Sequence, residues 1–178
     1  WNVVRNVTEG TDWEAITAGR CDDLLVDLAL LKLNRRPNFM ALPEATRHDI
    51  KEFFGSYKQA TAEADQLLFS SGNTELVDET ANAATVGKRL PTALYVHESA
   101  LSDLAPVLRV YEGCARWVVG EIDDANVIKL ATNKPKVSYL SYPKFDKEPH
   151  PALRETIFVR LWNLDVDWRS YEDSTNSP

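Results

Sequence analysis

Glycine is scarce in this chain, with only seven among 178 residues. The sequence contains neither of the glycine-rich loops that hold phosphate groups, G-x-G-x-x-G and G-x-x-x-x-G-K-[ST]. It also lacks the G-x-S-x-G turn that presents the nucleophile of many hydrolases. These absences argue against binding of a dinucleotide or nucleoside triphosphate in those modes, and against catalysis by a nucleophile of that kind.

Cysteine is rarer still, since Cys21 and Cys114 are the only two. Each lies within an apolar pattern of helical period, which favours small buried side chains over a disulfide and fits a reducing cytoplasm. The three histidines, His48, His97 and His150, are far apart in sequence and lack the close partner spacing of metal ligands. We therefore predict a cytoplasmic protein without a metal site.

Long apolar runs are also missing. No stretch reaches the roughly 18 apolar residues of a transmembrane helix, and LLVDLALLKL is interrupted by Asp27 and Lys32. The first residues, WNVVRNVTEG, include neither an initiator methionine nor the apolar segment of a secretory signal. We expect a soluble protein with no membrane partner, excised as a domain from a longer product.

What the chain does contain is enough apolar material for a core, at 44% of its residues. Apolar residues recur every three or four positions before Gly87, and they alternate after Asn126. We predict an α+β fold, in which a helical N-terminal half is followed by a small antiparallel β-sheet with one or more packed helices. The predicted division is a helical subdomain over residues 1–83 and an α+β subdomain over 84–178, sharing one core.

Three helices are predicted in the N-terminal half. Thr11-Asp12-Trp13-Glu14 has the form of a capping box, and the apolar pattern behind it ends near Asn34. A second helix follows the loop PNFMALPEA and includes Gly55 as a kink or a close helix crossing. A third, short helix is predicted from about Thr74 to Ala83.

The second half reads as strands around one helix. TALYVH is rich in strand-forming residues, and Pro106 suits the first turn of a helix. NVIKL and KVSYLSY alternate as strands, with the turn composition TNKP between them. A second hairpin is predicted at TIFVRLW and LDVDWRSY, which flank Asn163.

Charge is unevenly distributed although the net charge is −7. Residues 1–83 carry 8 Lys and Arg against 14 Asp and Glu, whereas residues 88–147 carry 9 against 7. The acidity therefore belongs to the helical half. A local basic patch in the second half can still meet a phosphate backbone.

We predict a nucleic-acid or ligand surface in the second half, with no catalytic residue assigned. Its candidate residues are Lys88, Arg89, His97, Arg116, Lys129, Lys136, Tyr142 and His150. The lysines would contact phosphates beside an exposed tyrosine that stacks on a base. The same lysines would equally serve as a charged edge that discourages strand aggregation. Strand alternation places Tyr139 on one face and Tyr142 on the other, so one of the two is expected in the core.

The histidines and arginines have structural alternatives. His97 either caps a chain reversal or, beside Glu98, contacts a ligand or transfers a proton. His150, in EPHPAL, either points outward from a rigid turn or precedes a helix that starts at Pro151. Arg109 and Arg116 share a helix face with Glu112 between them, which favours a ladder of ion pairs.

Seven phrases of the sequence carry a family resemblance: RCDDLLV, DIKEFFGSYKQA, ADQLLFSSGN, VGKRLPTALYVHESAL, LRVYEGCAR, KVSYLSYP and DKEPHPAL. They resemble the C-terminal region of the DNA phosphorothioation-associated methyltransferases, bacterial proteins linked with sulfur modification of the DNA backbone. The resemblance covers residues 13–176. In that family an N-terminal domain with a D-x-G-C-G-type motif binds S-adenosylmethionine, and this chain contains no such motif.

The resemblance implies an accessory domain of a DNA-modification protein, without a cofactor of its own. S-adenosylmethionine is expected only in the family's N-terminal domain, and the expected partner is DNA or a DNA-modification protein. Two alternatives to an accessory domain remain open. One is a nuclease or nucleotide hydrolase whose histidine and acidic residues meet only in the fold. The other is a structural or oligomerisation module.

Overall fold

The change from helical to strand periodicity along the sequence is present in the structure, a computed structural model that describes residues 12–122 and 124–171 and has helices before Gly87 and mainly strands after it. The α-helices are α1 (Trp13–Leu31), α2 (Glu44–Phe54), α3 (Tyr57–Ser70), α4 (Thr74–Asn82) and α5 (Pro106–Val119). Short 3₁₀ helices lie at Lys32–Asn34, Phe39–Ala41 and Glu98–Asp103. The strands are β1 (Lys88–Leu90), β2 (Ala93–His97), β3 (Val127–Ala131), β4 (Lys136–Ser141), β5 (Glu155–Arg160) and β6 (Asp165–Ser170).

The six strands form one antiparallel sheet in the order β1-β2-β3-β4-β5-β6. Each strand therefore pairs with its neighbour in sequence, and the only helical insertions fall between β2 and β3 within the described residues. This arrangement confirms the predicted α+β fold. Both predicted hairpins, β3–β4 and β5–β6, are present.

Two hydrophobic clusters stabilise the fold, and α5 contributes to both. The first cluster packs α4 and α5 on one face of the sheet, where Leu94, Ile128 and Leu130 are fully buried. The second cluster lies among α1, α2 and α3, and Val110 of α5 belongs to it. Each large side chain buried in this way stabilises the fold by about 1.5–3 kcal/mol.

Tyr111 ties α5 to the β3–β4 turn. Its hydroxyl donates to the carbonyl of Ala131 at 2.9 Å and accepts from the amide of Lys136 at 2.8 Å. Burial raises the pKa of Tyr111, so the hydroxyl keeps its proton. One side chain thereby holds the two strands at a fixed distance from the helix.

Two helix ends differ from the sequence expectation. The N-terminal cap of α1 is Asp12, whose carboxylate accepts from the amide of Ala15 at 3.0 Å, and Thr11 lies outside the described residues. The single helix predicted across Gly55 is two helices, because Gly55 has a φ of +71° and ends α2. Ser56 then caps α3 by accepting from the amide of Gln59.

Gly87, just before β1, offers a direct test of this backbone. Its φ is +86°, and an added Cβ would lie 2.5 Å from the carbonyl oxygen of Tyr95. We expect Gly87→Ala to lower the free energy of unfolding by about 3 kcal/mol, since strain and a backbone clash add together. Urea denaturation measures this loss.

Gly55→Ala is the matched control for Gly87→Ala. Gly55 also has a positive φ, but nothing lies within 4 Å of an added Cβ. We expect this variant to lose only about 1–2 kcal/mol, the cost of a left-handed backbone at a residue with a side chain. Equal losses for the two variants would contradict the predicted clash with Tyr95.

No helix among the described residues has the length and apolarity to cross a bilayer.

Candidate nucleic-acid interface

The sheet has a second face, opposite α5, which we call the outer face. Strand register places Lys88, Tyr95, Lys129, Ser138, Phe158 and Asp167 in one row across it. The row on one side of it contains Lys136, Arg160 and Asp165, and the row on the other side contains His97, Val127, Leu140, Thr156 and Arg169. Among the paired residues of these described strands, five cations and two carboxylates therefore share this face.

Cations and aromatic rings alternate on the outer face and contact one another. The ammonium of Lys129 lies 5.1 Å from the ring centre of Tyr95. Phe158 lies between two cations, with the Lys136 ammonium at 4.1 Å and the Arg169 guanidinium at 5.2 Å from its ring centre. These distances are those of cation–π contacts, which hold the charges beside the rings.

Positive charge is concentrated around Lys136. Burial lowers its pKa first, and the nearby charges of Lys134, Arg160, Lys129 and Arg169 lower it further. A lowered lysine pKa here means that burial and, after it, the neighbouring like charges disfavour the protonated form. A bound anion would relieve this repulsion.

The acidic residues of the outer face are confined to one edge. Arg160 pairs with Asp165 at 2.7 Å and also with Asp167. Arg160 therefore forms ion pairs with both outer-face carboxylates of β6. The cations on β1 to β4 have no carboxylate opposite them in the described strand register.

An aromatic group borders the outer face at the end of β2. The ring centres of His97 and Phe145 lie 5.2 Å apart, and those of Tyr142 and Phe145 lie 6.3 Å apart. The side-chain amide of Asn126 fixes Tyr142, since it donates to the Tyr142 carbonyl at 2.7 Å and accepts from its amide at 3.0 Å. Burial raises the pKa of the Tyr142 hydroxyl.

Five of the eight predicted surface residues lie on or beside the outer face. They are Lys88, His97, Lys129, Lys136 and Tyr142. Tyr139 is only 1% exposed and points to the helices, which confirms that the two tyrosines lie on opposite faces.

Arg89 and Arg116 lie on the helix side of the sheet, apart from the other candidates. Arg89 pairs with Asp78 of α4 and donates to Asn82 at 2.7 Å. Strand alternation explains its placement, because Arg89 is opposite Leu94, a core residue. Its contacts hold β1 to α4, so we remove it from the candidate surface.

Arg116, in the last turn of α5, belongs to a network of side chains with Glu112 and Tyr139. Its Nε donates to Glu112 at 2.8 Å, and its guanidinium lies 5.3 Å from the ring centre of Tyr139. The Tyr139 hydroxyl donates to the same carboxylate at 3.0 Å, and Glu112 is only 6% exposed. Of the predicted ladder of ion pairs, the Glu112–Arg116 pair is present, whereas Arg109 pairs with Asp23 of α1 at 2.7 Å.

A cleft of about 1120 Å³ separates α1 from the C-terminal half of α5. Leucines are the most frequent residues of its walls, and its charged groups are Asp27, Arg109, Glu112, Arg116 and Glu121. Burial raises the pKa of Asp27, while Arg109 opposes that rise. The arginines are already bound to carboxylates, so this cleft offers a ligand fewer available charges than the outer face.

His97 caps the 3₁₀ helix that follows it, and His150 lies in a bend before β5. The Nδ1 of His97 accepts from the amide of Ser99 at 3.2 Å, so the capping role is present. The carboxylate of neighbouring Glu98 is directed instead toward Arg116, at 3.6 Å. His150 is exposed, which agrees with the outward-pointing alternative; the other alternative, a helix starting at Pro151, is not present, because the chain runs without a helix into β5.

Within residues 12–122 and 124–171, no group of three or more His, Cys, Asp and Glu side chains is arranged to hold a metal ion.

Sequence reasoning missed four members of the outer face, namely Tyr95, Phe158, Arg160 and Arg169. The alternation of TIFVRLW could have indicated Phe158 and Arg160, since they are two positions apart and opposite in face to Val159. Their approach to Lys136 depends on the pairing of β4 with β5, which the sequence does not state.

Comparison with known proteins finds no match, whether among family models, curated proteins or solved structures.

Proposed function

We propose that this protein is a non-catalytic recognition domain that binds single-stranded nucleic acid on its outer face. The observation that carries the proposal is the cluster of Lys129, Lys136 and Arg169 against the rings of Tyr95 and Phe158. Proteins that bind single strands combine backbone-tracking cations with rings on which bases stack. The outer face holds both kinds of group within neighbouring strands.

Phosphates would contact the cations that lack a carboxylate partner on this face. Lys88, Lys129, Lys136 and Arg169 are the four such cations in the described register, since Arg160 is matched by the carboxylates of β6. Burial and, after it, repulsion from neighbouring cations lower the pKa of Lys136, so a phosphate bound at this cluster would offset the repulsion and favour the protonated form. Binding is therefore favoured by relief of repulsion as well as by direct attraction.

Bases would stack on the aromatic rings as the cations move toward the phosphates. Tyr95, Phe158 and Tyr142 are each half-buried, so their rings are fixed by the sheet and still reachable. The exchange replaces a cation–π contact with a base–aromatic contact, worth about 1–3 kcal/mol per base. A duplex hides the faces of its bases, so a single strand suits this surface better.

From the family resemblance we further propose that the domain acts in the bacterial cytoplasm, as the accessory part of a methyltransferase associated with DNA phosphorothioation. We propose no S-adenosylmethionine site in this chain, whose sequence has neither the D-x-G-C-G motif nor a glycine-rich loop. No methyl transfer is assigned to this chain. The hydrolase alternative gains no support from Glu98, whose carboxylate lies 3.6 Å from the guanidinium of Arg116.

Salt dependence tests the proposal on the unmodified protein. If about four phosphates are neutralised, the affinity for a labelled single-stranded DNA should fall by about 50-fold between about 50 and 200 mM salt. Fluorescence anisotropy measures the affinity at each salt concentration. A duplex of the same sequence is the control, and we expect it to bind more weakly.

Absence of binding at about 50 mM salt would contradict the proposal, because electrostatic attraction is strong under that condition. So would an affinity that does not change with salt. A preference for the duplex would contradict the stacking part and leave only a charged surface.

A further inference from the structure

The cleft between α1 and α5 has apolar walls that are open to solvent. On α1 the walls include Leu30 and Leu31, and on α5 they include Gly113 and Trp117. Gly113 lets the two helices approach closely, since an added Cβ would lie 2.6 Å from the Leu30 side chain. Leu31 is 37% exposed and Trp117 is 46% exposed, so apolar surface remains uncovered at the mouth of the cleft. A hydrophobic groove is the usual receptor for the apolar face of an amphipathic helix.

The cationic groups of the cleft are already neutralised. Arg109 pairs with Asp23 at 2.7 Å. Arg116 is held by Glu112 at 2.8 Å and also lies 3.6 Å from Glu98. An anionic ligand would have to displace a carboxylate before it could bind either arginine. The cleft is therefore unsuited to an acidic partner.

Two acidic side chains at the mouth of the cleft are, by contrast, unpaired. Asp27 lies on the α1 wall and Glu121 follows the end of α5, and both are exposed. In the described part of the chain, neither carboxylate forms an ion pair or a hydrogen bond with another side chain. Burial raises the pKa of Asp27, Arg109 opposes that rise and Asp23 adds to it. A cation bound beside Asp27 would stabilise its ionised form.

We propose that the cleft between α1 and α5 binds an amphipathic helix of a partner protein, one that carries lysine or arginine beside its apolar face. The apolar face would cover Leu31 and Trp117, and the basic side chains would pair with Asp27 and Glu121. The charges of the two partners are then complementary on both walls of the cleft.

The size of the cleft and the charge of the helical half both favour this occupant. The cleft volume of about 1120 Å³ exceeds the about 300–1,000 Å³ of most small-molecule pockets, which suits a peptide segment better than a small ligand. Residues 1–83 carry 14 Asp and Glu against 8 Lys and Arg. This excess of negative charge attracts a basic partner from a longer range.

The cleft and the outer face lie on opposite sides of the sheet. Residues of α5 pack with Ile128 and Leu130 on one side, whereas Lys129 lies on the other. The cations of the outer face also repel a basic helix. Binding at the cleft therefore does not depend on nucleic-acid binding, and either activity can be present without the other.

Fluorescence anisotropy with a labelled synthetic peptide tests the inference. The probe has about 18 residues, or five helical turns, with leucines on one face and lysines beside them. One comparison peptide replaces every lysine with glutamate, and the other scrambles the order of the residues. We expect the unmodified protein to bind the probe with a Kd below about 100 µM, and each comparison peptide at least about tenfold more weakly.

Asp27→Lys with Glu121→Lys should weaken binding of the probe at least about tenfold, because two attractive charges become repulsive. Glu52→Lys with Glu79→Lys is the matched control, since it makes the same charge change at exposed positions of α2 and α4 outside the cleft. We expect this control to lose less than about threefold in affinity, because salt screens distant charges.

Trp117→Ala tests the apolar wall and should weaken binding of the probe about tenfold, as truncation of a buried aromatic contact does. The indole Nε1 of Trp117 donates to the Asn34 side chain at 2.8 Å. Asn34→Ala is therefore the matched control, since it removes the same hydrogen bond and leaves the ring in place.

Circular dichroism establishes that each variant is folded. If Asp27→Lys with Glu121→Lys does not fold, Asp27→Asn with Glu121→Gln keeps the shape of both side chains and should still weaken binding about threefold. Absence of binding at about 100 µM, or equal binding of the glutamate peptide, would overturn the inference. So would equal losses for the cleft variant and its control, or a Trp117→Ala protein that binds the probe as the unmodified protein does.

Discussion

Replacing Lys129 and Lys136 together by glutamate should lower the affinity for single-stranded DNA about 100-fold at about 50 mM salt. Both ammonium groups lie over aromatic rings on the outer face. The double variant removes two phosphate contacts and adds two repulsive charges beside the same rings. Anisotropy titration of variant and unmodified protein measures the ratio, and the slope of affinity against salt should become shallower.

Lys51→Glu with Lys58→Glu is the matched control for this prediction. Both lysines are exposed, and they lie on α2 and α3, which belong to the N-terminal helical half. Lys51 also lies 5.7 Å from the ring centre of Phe39, so the control loses a cation–π contact as well. The net charge changes equally in the two variants. Equal losses of affinity would show that overall charge governs binding and would remove the outer face as the site.

Glu112→Ala should destabilise the fold by about 3 kcal/mol, because it removes the carboxylate that accepts from two side chains and leaves the buried Tyr139 hydroxyl only the Glu112 carbonyl, at 3.4 Å. Glu112 accepts from Arg116 at 2.8 Å and from the Tyr139 hydroxyl at 3.0 Å. The side chain of Arg116 is 32% exposed, so water compensates part of its loss. Urea denaturation should show a lower midpoint with an unchanged slope.

Glu112→Gln distinguishes the charge from the hydrogen bonds. The amide oxygen keeps an acceptor in place with nearly the same shape, so we expect a loss of about 1 kcal/mol. If Glu112→Gln costs as much as Glu112→Ala, the carboxylate charge dominates. If neither variant loses more than about 0.5 kcal/mol, the network does not stabilise the fold, contrary to our expectation.

The elements of the fold were largely predictable because their patterns are local. Alternating residues in NVIKL and KVSYLSY gave β3 and β4, and Pro106 begins α5 as its fixed φ suggests. The break at Gly55 was predicted only as a kink or close crossing. A positive φ depends on how α2 and α3 pack against α1, and the spacing of apolar residues is unchanged by it.

The candidate surface was only partly predictable, because its pairs come from distant parts of the chain. Alternation shows that Lys129 and Lys136 lie outside the core of their own strands. It does not show that Lys136 meets Phe158, which is brought near by the register of β4 with β5. Arg89 shows the converse error, since its basic character suggested exposure while its position opposite Leu94 turns it toward α4.

The central position of α5 has a consequence for dividing the protein. Tyr111 faces the sheet and Val110 faces α1 and α3, so adjacent residues of one helix fill different hydrophobic clusters. Separating the N-terminal helices from the strands would expose one of the two apolar faces of α5 to water. Neither fragment would contain a complete hydrophobic core, so we expect the two halves to fold as one cooperative unit.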